Sequence, residues 1–152
     1  MPHDSNPPAE PVLVSLSVPP KPSVGLVEGL VRAPSAVSDA PLLDGAAPDS
    51  QVAAFLAGAA HADTGFVARA ASGERALALV AATAAALCGE DIAAALRDPD
   101  IEFLRGLKPP AVQALREVLL AVESDNPREV ARTLAVLAPD IAQTPGPPPT
   151  PR

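Results

Sequence analysis

Along residues 109 to 134, "PPAVQALREVLLAVESDNPREVARTL", apolar residues recur at helical spacing on both sides of a polar turn. Val112, Leu115, Leu119 and Val122 advance in steps of three and four, with Val118 beside them, and Pro109 and Pro110 suit the first turn of a helix. "SDNP" then turns the chain. Asn126 as cap, Pro127 at the first helical position and Glu129 three residues after the cap predict a second helix, burying Val130, Leu134 and Leu137 and ending before Pro139. The pattern predicts an antiparallel helical hairpin.

Upstream, "RALALVAATAAALCG" carries Leu77, Val80, Ala81, Ala84, Leu87 and Cys88 on one helical face, with Glu74 at its start and Gly89 at its end. A helix from Asp49 or Ser50 would bury Val52, Phe55, Leu56 and Ala59 and break at Thr64 and Gly65. Shorter helices are predicted around Phe66, Val67 and Ala70, in "EDIAAALRD", and after Asp98 and Pro99 through Ile101, Phe103 and Leu104. Before residue 50 there are only two apolar islands. Val12, Val14, Leu16 and Val18 alternate as a strand would, and Leu26, Val27 and Leu30 make a weak helical turn interrupted by Gly25 and Gly29.

The 20 prolines sharpen this map, because ten precede residue 50, six lie from Pro139 onward, and only four fall between. Proline removes a backbone donor and disfavours helix before it. The expected organisation is therefore a disordered Pro/Ser/Ala-rich arm over 1–49, a helical domain over 50–138, and a Pro-rich tail over 139–152. The expected fold is all-α, a small bundle of four to six short helices. With three phenylalanines and no Trp or Tyr, its core must rest on alanine and aliphatic packing.

The closing helix pair superficially resembles a tetratricopeptide unit, without that repeat's large aromatic positions and alanine spacing. "FLAGAAHAD" and "LREVLLAVESDNPREVARTL" are similar to parts of the atypical kinase family that includes ubiquinone-biosynthesis kinases. Such an enzyme is far longer, and the metal-binding Asp-Phe-Gly and the nucleotide lobe are absent here. No family is assigned on these grounds.

A formal charge of −7, only two lysines and scattered arginines argue against nucleic acid and against an anionic membrane surface. The most apolar stretch has about 13 apolar or small residues, short of the roughly 20 that a spanning helix requires. The N-terminus, with an early acidic residue and prolines through its apolar part, does not read as a conventional signal peptide. Cys88 is the only cysteine, so no intramolecular disulfide can form and a cytoplasmic setting is expected.

Candidate chemistry is sparse. His61 and Asp63 in "AHADTG" could pair for proton transfer or metal binding, but they flank a predicted helix end, where solvent-facing roles are usual. Cys88, at a helix C-terminus on the apolar face, is expected in the core. Glu90 with Asp91, and Asp98 with Asp100, are expected to serve helix starts rather than catalysis. The spacings in "VPPKPSV" and "TPGPPPTPR" suit polyproline II ligands. No catalytic, cofactor or metal site is assigned. The expected function is a non-catalytic protein-interaction or assembly module, docking a protein partner or a second copy as a homo-oligomer. Its alternatives are an enzyme or accessory subunit using His61 and Asp63, or a weakly selected high-GC reading frame.

Overall fold

The computed structural model describes residues 25–35 and 39–138. In chain order its elements are β1 (Val31–Arg32), β2 (Leu42–Asp44), α1 (Asp49–Ala59), β3 (Phe66–Arg69), α2 (Gly73–Cys88), α3 (Ile92–Arg97), α4 (Ile101–Arg105), α5 (Pro109–Val118), β4 (Leu119–Glu123) and α6 (Pro127–Leu134), followed by a 3-10 turn at Ala135–Leu137. The strands form one parallel sheet in the order β1-β4-β3-β2. The expected all-α bundle is thus corrected to an α/β fold. The strand-like island at Val12 to Val18 and both proline tracts lie outside the described residues.

The correction centres on short apolar runs whose period is ambiguous. "LLAVE" continues the apolar spacing of α5, yet the chain turns extended at Leu119 (φ −95°, ψ 95°) and becomes a central strand. A parallel strand between two neighbours is covered on both faces, so it reads as an unbroken apolar run and not as an alternation. "FVAR" behaves likewise as β3: Phe66, Val67 and Ala68 are all buried, although they point to opposite faces. The expected helical hairpin is therefore helix, strand, helix. Leu115 and Leu134 are both fully buried, as core residues of this mixed fold.

α2 packs against α1, α3, α4, α5 and α6, and the apolar cluster that they build takes in Leu43, Ala68 and Val122, which the strand registers align in one row across the sheet. Every residue of α2 from Ala78 to Ala85 is buried, so this helix is enclosed on all sides, and its alanines are what let five helices reach it. Thr83 is accommodated inside by donating its hydroxyl to the Leu79 carbonyl at 2.7 Å. Ser72 caps α2 by accepting from the Arg75 N–H, and Gly89 closes it in the left-handed region at φ 72°.

β1 and β2, both before residue 50, belong to this body, and Leu26, Leu30 and Leu43 contribute to its core. Arg75 ties the β2–α1 link to the start of α2, donating to the carbonyls of Gly45 (2.6 Å) and Ala47 (3.1 Å) and to Asp49 Oδ1 (2.9 Å). Asp49 thus serves as an ion-pair partner inside the first turn of α1, and Pro48 occupies the cap position. Arg116 does the same for the turn before β1. It donates to the carbonyls of Gly25 (2.9 Å) and Glu28 (2.7 Å), and burial lowers its pKa against the opposing pull of the Glu28 charge.

Candidate functional site

In an open parallel sheet the usual ligand position is the carboxyl edge, where neighbouring strands send the chain to opposite faces. Here that point falls between β1 and β4. β2, β3 and β4 succeed one another across the sheet in one direction, whereas the link from β1 to β2 returns the other way, and right-handed crossovers place opposite senses on opposite faces. The registers align Asp44, Arg69, Glu123 and Arg32 in one row across this edge.

The row is closed by its own charges. Glu123 is 1 % exposed and accepts from Arg32 Nε at 3.2 Å and from the Ser35 N–H at 3.0 Å, while Arg69 Nη2 stands 3.5 Å from its other oxygen. Both arginines are about half exposed. A buried carboxylate shared by two cations and a backbone donor clamps three strands and the segment leaving β1. The place where the topology would seat a ligand is occupied by an internal clamp. Glu123 is buried and Arg116 half-buried, although both stand on the polar positions of the expected helical hairpin.

The open concavity lies elsewhere, over the outer end of α2. A groove of about 430 Å³ runs between α2, α3 and α4. Ala81 and Ala85 of α2 and Ala94 and Ala95 of α3 form its small-residue floor; Leu104 and the 45 % exposed Phe103 of α4 form one apolar wall. Glu90, Asp91, Asp98 and Asp100 stand around it, and none of the lining residues is basic. A second hollow, near the start of α2, is lined by Glu74, Arg75 and Arg97 and so presents both signs of charge.

The four acids do not share one role. Asp91 caps α3 by accepting from the Ala94 N–H at 3.1 Å, and Asp100 caps α4 by accepting from the Phe103 N–H at 3.0 Å. Those two match the expectation that acids serve helix starts. The other two sit at helix ends: Glu90 follows Gly89 beyond α2, and Asp98 is the residue that closes α3. Each also precedes a helix start, Glu90 beside the α3 cap Asp91 and Asp98 two residues before the α4 cap Asp100, so the dipole of the following helix offsets that of the preceding one. Among the described residues neither side chain takes part in a hydrogen bond or ion pair.

His61 and Asp63 are both exposed beyond the end of α1, and no bond joins their side chains among the described residues. Cys88, expected in the core, is exposed. α2 is enclosed along its middle and frees its last turn, a distinction that its uniform apolar composition hides. Among the described residues no group of three or more His, Cys, Asp or Glu side chains is placed to hold a metal ion, and no helix is long and apolar enough to cross a membrane. Nothing in the sequence reading anticipated the groove. The signals were "AAALCGEDIAAALRDPD", alanine-rich helices with acids at both of their ends, and the partly exposed Phe103 just after.

No protein family, curated protein or solved structure matches this chain.

Proposed function

We propose that this chain is a non-catalytic docking module whose groove between α2, α3 and α4 receives an apolar segment of a protein partner. The observation that carries the reading is the combination of an alanine floor with a half-exposed phenylalanine beside it. Small floor residues let a second backbone come close, and Phe103 is the kind of aromatic anchor around which interfaces concentrate their affinity. A distinct protein partner is favoured over a second copy, because a chain of formal charge −7 is repelled by its own acid-rimmed groove. The same charge disfavours nucleic acid and anionic membrane as occupants. A cytoplasmic setting fits the single exposed thiol, which has no intramolecular disulfide partner.

The test is a titration of the full chain with a neutral amphipathic peptide of leucine and glutamine, followed by NMR at the groove methyls. Signals of Ala81, Ala85 and Ala95 and the Phe103 ring are expected to shift together, and Ala94→Tyr, which fills the groove from an exposed position of α3, should suppress the shifts without unfolding the chain. Shifts scattered over the surface, or untouched by Ala94→Tyr, would show that the groove is not a docking site.

A further inference from the structure

We propose that the occupant of this groove is a partner helix bearing two Lys or Arg residues two turns apart, with leucine-sized side chains between them. The inference rests on the docking reading and adds the chemistry of the partner.

The rim acids form two pairs, Glu90 with Asp91 before α3 and Asp98 with Asp100 after it, so the apolar floor lies between two negative ends. Capping explains Asp91 and Asp100. It does not use Glu90 and Asp98, neither of which takes part in a hydrogen bond or ion pair among the described residues. Both are exposed, so their charges stand open to a partner. No basic residue lines the groove to neutralise them. Their field points outward and is of one sign, which steers and orients a cationic partner.

Spacing narrows the partner further. Asp91 and Asp98 are seven residues apart across α3, on the order of 10 Å at the helical rise of about 1.5 Å per residue. A helix lying along the groove meets both ends with cations at positions i and i+7. Its aliphatic residues at i+3 and i+4 then fall over Ala85, Ala94 and Ala95 and against Phe103. The small floor residues accept them at close range. A divalent cation is the alternative reader of clustered acids, but no three of the described carboxylates are placed to hold one.

Fluorescence anisotropy of the full chain with labelled amphipathic peptides tests this. Four peptides share one leucine stripe and differ only at the flanking positions: lysines at i and i+7, lysines at i and i+4, glutamines, or glutamates. The i, i+7 lysine peptide is expected to bind about tenfold or more tighter than the glutamine peptide, to exceed the i, i+4 peptide, and to lose its advantage as salt rises. Glu90→Gln with Asp98→Asn should remove that advantage and leave glutamine-peptide binding and the thermal midpoint intact. Equal affinity for lysine and glutamine peptides, or a preference untouched by the double substitution, overturns the cationic partner and leaves the docking reading standing. Equal binding of both lysine spacings overturns the two-turn geometry. Binding of every peptide that is indifferent to Ala94→Tyr, or no binding at all, removes the docking reading and this inference together.

Discussion

Glu123 shows how a single buried charge is held. Its two arginine partners are half exposed, so in isolation each would rank as a surface ion pair worth little. What gives them weight is the carboxylate's own burial at 1 % exposure. Removing one arginine leaves the other and the Ser35 N–H in place, and Arg32→Gln or Arg69→Gln alone should cost about 1 kcal/mol or less. Removing both strands a buried carboxylate on one backbone donor, and the double substitution should cost about 3–5 kcal/mol, well beyond the sum of its parts. Urea denaturation of the four species of this cycle measures the coupling; simple additivity would show that the cluster does not act as a unit. The residue identities were plain in the sequence, but a glutamate 91 positions from its arginine partner gives no local sign of the pair.

Among the elements, the contact between α2 and α6 depends on one missing side chain. A Cβ at Gly73, the first residue of α2, would run into the Thr133 side chain of α6. Thr133 is β-branched and donates its hydroxyl to the Glu129 carbonyl at 3.2 Å, so it has little freedom to move aside. Gly73→Ala should therefore cost about 1–3 kcal/mol through overpacking, although alanine is the better helix former. A raised thermal midpoint would show that propensity outweighs the close approach. The junction of α5 and β4 makes the same point about context. α5 starts on Pro109 and Pro110 as expected, and α6 starts on Pro127, but the expected capping box does not form: Asn126 makes no side-chain cap bond, its backbone N–H donates to Ser124 Oγ at 3.1 Å and its side-chain amide donates to Glu129 at 2.8 Å. The five residues between them and the turn change type because the centre of a sheet is open to them.

For the whole molecule, the fold is a parallel sheet, and each of its strands borrows partners from far along the chain. Among the described residues β1 pairs only with β4, and β2 only with β3. Deleting residues 1–48 removes both edge strands together with Leu26, Leu30 and Leu43, exposing β3 and β4 along their outer edges. The shortened chain should lose its cooperative unfolding transition, and in the full chain Leu30→Ala should cost about 2–5 kcal/mol. Circular dichroism melts of both proteins check this. A fragment from residue 49 onward that melts like the full chain would show that the helices form a self-sufficient unit.

Most helix starts, and the stop of α2, were legible from the sequence alone, because caps, prolines and a left-handed glycine act through backbone groups within a few residues of themselves: Gly89, Asp91, Asp100, Pro109 and Pro127 all stand at element ends. The acids of the groove were legible as residues, and two of them as caps. The tertiary structure alone decided that "FVAR" and "LLAVE" are strands, that "VR" and "LLD" flank them, and that Glu90 and Asp98 face one groove. The physical reason is range. A short apolar run satisfies its backbone within a helix or across a sheet, and only neighbours brought from 25 to 91 residues away settle which.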